Sequence, residues 1–132
     1  MPKPQNLTRR QRWAPYVRRL ADLLCLRDWR IEVYEDSPSD GSAVASCQPV
    51  TGRKYAVIRL SESFLTDPKA DQRHTLTHEL LHCHLGPMTR LLEANEAMPP
   101  AVQLALEYCV DGLADAIAPL LPEPPPSTRS QN

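Results

Sequence analysis

The chain has 132 residues, of which 42% are hydrophobic and 23% charged, and its formal net charge is −1. That length suits one domain with a real core and little room for a second lobe, and the ordinary apolar share excludes an unstructured chain. No apolar run approaches the ~20 residues of a membrane-spanning helix. Pro2 to Arg12 is polar and basic with no apolar stretch behind it, so no secretory leader is expected, and a reducing, cytoplasmic setting is. The charge is uneven: residues 1–30 hold eight Lys or Arg and two Asp, and the remaining seven basic and fourteen acidic residues follow. Such a start can meet nucleic acid or an acidic partner. It has neither interleaved aromatic residues nor a nucleic-acid motif, and a solvated helix face is the simpler reading.

Residues 1–7 carry no pattern. From about Gln11 or Pro15 to Leu26 the spacing predicts a helix, with Val17, Leu20, Leu23 and Leu24 inward and Arg18 and Arg19 toward water. Asp28 to Tyr34 alternates Trp29, Ile31 and Val33 with Arg30 and Glu32, the period of a strand. A polar loop from Asp36 to Ser42 leads to a second short strand, Ala43 to Gln48, and to turn chemistry at Pro49-Val50-Thr51-Gly52. Lys54 to Leu60 reads as a third strand, with Tyr55, Val57 and Arg59 on one face and Ala56, Ile58 and Leu60 on the other. Ser61 to Pro68 connects onward, and Asp67-Pro68 suits a helix entry.

The helix that follows carries the chemistry. Leu76, Leu80, Leu81 and Leu85 form an apolar stripe over Arg73 to Leu85, and Gly86-Pro87 is expected to stop it. Within it His78-Glu79-Leu80-Leu81-His82 fits H-E-x-x-H. Residues four apart on a helix project from one face about 6 Å apart, so two imidazoles can share one tetrahedral Zn²⁺. Glu79, next to the first histidine, can act on a water there as general base. The bland alternative is a helix that happens to carry two histidines; the stripe, which buries one face and leaves the histidines at a cleft border, favours the metal. His84 is out of phase and points away. His74, one turn before His78, suits a surface or helix-packing role.

A catalytic zinc takes three protein ligands. The extended pattern H-E-x-x-H-x-x-G-x-x-H is absent: Leu85 occupies the glycine place, and Pro87 and Met88 cannot ligate zinc. After a short helix from Thr89 to Ala97 and a break at Pro99-Pro100, a long helix is expected from Pro100 to Leu121, with residues 102, 106, 109, 110, 113 and 117 on its apolar face. Glu107 and Asp111, four apart, share a neighbouring face. An unpaired buried carboxylate is costly, and a cation beside it removes that cost. Glu107 can therefore bind zinc, while Asp111 can accept the N–H of a histidine ligand and fix its tautomer. Two solvated acids are the alternative, and the H-E-x-x-H upstream weighs against it. Of the four cysteines, Cys25, Cys83 and Cys109 read as small buried hydrophobes; no C-x-x-C is present.

His78–His82 followed by Glu107–Asp111, H-E-x-x-H on one helix and E-x-x-x-D on a second, resembles the gluzincin metallopeptidases. The small size is similar to the minimal gluzincins (minigluzincins) and, more loosely, to short zinc peptidase domains of the ImmA/IrrE type. The resemblance spans roughly Asp28 to Leu121. It implies an α+β, zincin-like domain over residues 1–121: an N-terminal helix, a small three-stranded sheet, an active-site helix and a second long helix. Residues 122–132 are expected to form a disordered proline-rich tail. It further implies a zinc metalloendopeptidase acting on a peptide or protein substrate, with His78, His82 and Glu107 as ligands, Glu79 as base and Asp111 supporting a histidine. The clan's auxiliary tyrosine or histidine matches no position; Tyr55, Tyr108 and His74 stay open for it. An edge strand offers unpaired N–H and C=O groups to a substrate backbone, and the third strand is expected in that role. The rival is a non-catalytic, zinc-containing interaction or regulatory protein, associated with nucleic acid through residues 1–30. An intact Glu79 speaks against it, because a purely structural zinc needs no base.

Overall fold

The structure, a computed structural model, describes residues 7–50, 52–94 and 99–126. A turn of 3₁₀ helix, Gln11–Trp13, enters helix α1 (Ala14–Leu23). Strands β1 (Arg30–Val33), β2 (Ala45–Pro49) and β3 (Tyr55–Leu60) follow, then α2 (Glu62–Thr66), α3 (Lys69–Ala94) and α4 (Pro100–Ile117), which continues into a 3₁₀ turn, Ala118–Leu120. The fold is α+β, as the element pattern implies.

The sheet order is β1-β3-β2. β3 runs parallel to β1, with Ile31 opposite Ala56, and antiparallel to β2, with Cys47 opposite Ile58. A middle strand is hydrogen-bonded along both edges, and Ala56, Val57, Ile58 and Leu60 are all buried. This corrects the expectation that the third strand offers a free edge: β1 and β2 pair with both of its sides. β2 is the edge that lies against α3. The core joins Leu20 and Leu26 from the α1 region, Ile58 and Leu60, Phe64 of α2, and Leu76 and Leu80 of α3, all fully buried. Each such side chain contributes about 2 kcal/mol by leaving water. Ser61 caps α2 by accepting the Phe64 N–H, which fixes where Phe64 enters.

The end of α1 departs from the periodicity. The helix stops at Leu23, and Leu23 is half exposed. Cys25 takes a left-handed conformation with φ 65°, and the Leu26 N–H bonds the Ala21 carbonyl while the Cys25 N–H bonds that of Asp22. This is a Schellman closure with cysteine where glycine is usual, and it turns Cys25 outward and Leu26 inward. Arg18, expected in solvent, instead donates to the Leu26 and Trp29 carbonyls and pairs with Asp22. His84 Nε2 donates to the Leu24 carbonyl at 2.6 Å, so it does point away from His78 and His82 and holds the end of α1.

Two further expectations change. Gly86-Pro87 does not stop the helix; α3 runs through Pro87 to Ala94 and absorbs the first part of the separate helix expected from Thr89. Residues 95–97 lie outside the described residues. The residue before a proline resists helical dihedrals because of its Cβ, and Gly86 has none. On α4 the buried residues are Val110 and Ala114, followed by Ala118, whereas Cys109 and Leu113 are exposed. The packed face is thus rotated toward the acids. Cys83 is buried as expected; Cys25 and Cys109 are not. Among the described residues no helix is long and apolar enough to cross a membrane.

The proline-rich segment starts in contact with the body. Tyr16 Oη donates to the Pro122 carbonyl at 2.7 Å, Arg73 donates to that of Leu121, and Pro124 is buried. Residues 127–132 lie outside the described residues. Burial pushes the Tyr16 hydroxyl from 10.0 up to about 12, against the pull of Arg73 and Arg19. The folded state therefore keeps a proton that the unfolded chain releases above pH 10. The stability this provides is complete below pH 10 and is lost as pH rises through about 12. Urea midpoints between pH 9 and about 12 should fall more steeply for the natural chain than for Tyr16→Phe. Parallel curves would show that Tyr16 carries none of the alkaline loss.

Candidate metal centre

α3 begins just after Asp67-Pro68, where the Gln72 N–H bonds the Pro68 carbonyl. Its inner face is fixed by Leu76, Leu80 and Cys83. This leaves His74, His78 and His82, one turn apart each, along a neighbouring face toward α4. α4 brings Glu107, Asp111 and Asp115 at the same four-residue spacing. His82 Nε2 lies 3.4 Å from Glu107, His78 Nδ1 2.8 Å from Asp111, and His74 Nε2 2.7 Å from Asp115. As one number rises the other falls, so the two helices run antiparallel.

His78, Glu79 and His82 form a group that could hold a metal ion. Glu107 approaches it from α4. His78 Nε2 and His82 Nε2 are 3.3 Å apart, and the two Glu107 oxygens lie 3.3 Å from the first and 3.4 Å from the second. Donors ~2.0–2.1 Å from a zinc ion in tetrahedral array stand about 3.3 Å from one another. Each ring nitrogen thus stands about that distance from the other and from the Glu107 oxygen nearest to it, so the carboxylate faces both rings. Glu79 stands back, its carboxylate 3.9 Å from His78 Nε2. The chemistry of the donors fits as well. The Asp111 carboxylate can only accept, so His78 Nδ1 carries a proton and Nε2 is the ring atom that faces His82 and Glu107. Burial lowers the His82 pKa, with Glu107 pulling the other way, which favours a neutral imidazole, the form that ligates.

Glu79 has only 14% of its side chain exposed. Burial first, and the Glu107 carboxylate second, push it from 4.5 to about 8, against the backbone N–H of Cys47 on β2. Glu79 therefore keeps its proton near neutral pH, and a cation among these groups would favour its ionised form.

The open candidates for an auxiliary residue separate clearly. Tyr55 donates to Glu32 on the β1 side of the sheet, opposite the β2 edge that meets α3. His74 is taken up by Asp115. Tyr108 is 69% exposed and follows Glu107 on α4. Asp115 and Cys47 are the site neighbours that sequence reasoning missed. Asp115 extends the 107–111 spacing by one turn, just as His74 extends 78–82 backwards, so a signal was there; the approach of Cys47 depends on sheet order and has none. In the basic N-terminal region, Arg9 and Arg10 pair with Glu62, Arg10 also binds the Leu60 and Glu35 carbonyls, and Arg30 pairs with Glu32. Much of that charge is engaged within the fold.

No protein-family model matches this chain, and neither a curated protein nor a solved structure matches it.

The places of the two α4 acids order two substitutions. Asp111→Ala should weaken metal binding roughly 10–100-fold by releasing His78. Glu107→Ala, which removes the carboxylate facing both rings, should cost more and leave little metal bound after desalting. Metal analysis and titration with Zn²⁺ measure both, and a fully metallated Glu107→Ala protein would remove Glu107 from the donor set.

Proposed function

We propose that this protein is a zinc-dependent metallopeptidase of the gluzincin type. The observation that carries the reading is the convergence of His78 Nε2, His82 Nε2 and the two Glu107 oxygens at 3.3–3.4 Å, with the buried Glu79 carboxyl beside them. Two neutral imidazoles and one carboxylate are the donor set of a catalytic zinc with an open fourth position. A structural zinc closes all four positions and has no use for a buried acid beside them.

Zinc bound there supplies a Lewis acid for the scissile carbonyl and a positive charge that favours the ionised form of Glu79. The chain's own residues do the rest. A Glu79 carboxylate oxygen takes the proton from the attacking water and returns it to the leaving amine nitrogen. Asp111 holds the Nδ1 proton of His78, so the ring does not rotate or change tautomer as charge develops. The free edge of β2 runs along the same side of α3, and an extended peptide pairing there would bring its backbone past Glu79. A peptide or protein substrate in a reducing, cytoplasmic setting goes with this reading, and all four cysteines are free.

Glu79→Gln keeps the shape of the side chain and cannot act as a base. It should retain zinc and lose 10²–10⁴-fold in the rate of peptide-library cleavage, read by mass spectrometry. Undiminished cleavage by a metal-loaded Glu79→Gln protein would sink the assignment.

A further inference from the structure

Cys47 and Cys83 take no part in the proposed hydrolysis, yet they meet at the seam between the edge strand and the histidine helix. Their sulfurs are 3.7 Å apart, and both are free thiols. Cys83 is fully buried and directly follows His82; Cys47 is half-buried on β2, with its backbone N–H toward Glu79. The seam is close-packed one step further on, where a Cβ on Gly86 would lie 3.5 Å from Cβ and Cγ of Pro49. Two residues along the strand thus match three along the helix, and strand and helix are already in place. A bond of ~2.05 Å asks the sulfurs to close by about 1.7 Å.

We propose that Cys47 and Cys83 are a reversible disulfide site, a redox latch that ties β2 to α3 beside Glu79. The oxidant is a small disulfide of the glutathione class. The Cys47 thiol gives up its proton and its sulfur displaces one glutathione, so the S–S bond of the oxidant breaks as a mixed disulfide forms. The Cys83 sulfur, losing its own proton, displaces the second glutathione, and each departing sulfur takes up one proton. Two protein thiols lose two electrons and two protons, and one glutathione disulfide becomes two glutathiones. The second step is intramolecular, which gives this pair an advantage that the solitary, exposed Cys25 and Cys109 lack. The ring so closed spans residues 36 apart, long enough for a cross-link to restrict the unfolded chain strongly.

The test equilibrates the full-length, metal-loaded protein with excess glutathione disulfide, alkylates the remaining thiols and maps peptides without reduction. The expected product is a Cys47 peptide linked to a Cys83 peptide, lost on treatment with dithiothreitol, with Cys25 and Cys109 carrying glutathione. The linked form should melt roughly 10 °C higher than the reduced one. Cys47→Ser and, separately, Cys83→Ala should show no such rise. Absence of the linked peptide while Cys25 and Cys109 in the same sample are glutathionylated overturns the proposal. So does a linked protein whose Tm equals that of the reduced form, because the bond would then tie nothing together.

Discussion

Two helices carry histidines and acids at the same four-residue spacing and run in opposite directions, so Glu107, Asp111 and Asp115 meet His82, His78 and His74 in reverse order. The donor geometry depends on that one register. A slip of a single turn moves every pair by about 5.4 Å, far outside coordinating range. The acids do not fix the register by themselves, since each is at least half exposed and such pairs contribute about 0–1 kcal/mol. The apolar contact does more: Val110 and Ala114 are fully buried, and a slip would draw both out of the core. Weak polar rungs then act as a vernier on a position that packing has already chosen.

The site also holds a tension. Glu79 is a carboxyl removed from water, facing a second carboxylate and helped only by one backbone N–H. Stability alone would select against it, because an apolar residue of that shape would bury at no such penalty. Groups whose ionisation is strongly perturbed collect where chemistry is done, and here the perturbed acid adjoins a set of metal-suited donors. That coincidence links the proposed catalysis to the energetics of the fold, independent of any resemblance between motifs.

Local signals in the chain were reliable where one element decides its own outcome. The alternation of Ile31 and Val33 with Arg30 and Glu32 and the stripe of Leu76, Leu80 and Leu81 belong to real elements, and the H-E-x-x-H spacing does gather His78, Glu79 and His82. Signals failed where a neighbour decides. β3 reads like any half-buried strand, and only its insertion between β1 and β2 makes it central. Gly86-Pro87 has stop chemistry, yet the glycine, without a Cβ, eases the restriction that proline places on the residue before it, and the helix continues. Cys25 lies in an apolar run that suggests burial, but a left-handed turn follows the helix and faces it outward. The acids 107 and 111 stood out because they interrupt an apolar helix; Asp115 belongs to the same row and was hidden by its position near the helix end.

The open side of β2 has a cost that concerns the protein's behaviour in concentrated solution. Any extended chain can lay its backbone along an unpaired rim, and a second copy of the same molecule is the partner most often at hand. Two features blunt this hazard. The strand is only five residues long, and it finishes at Pro49, which has no N–H to offer a newcomer. Lengthening β2, or replacing that proline, would trade a guarded rim for a sticky one and favour sheet-to-sheet polymers over single molecules.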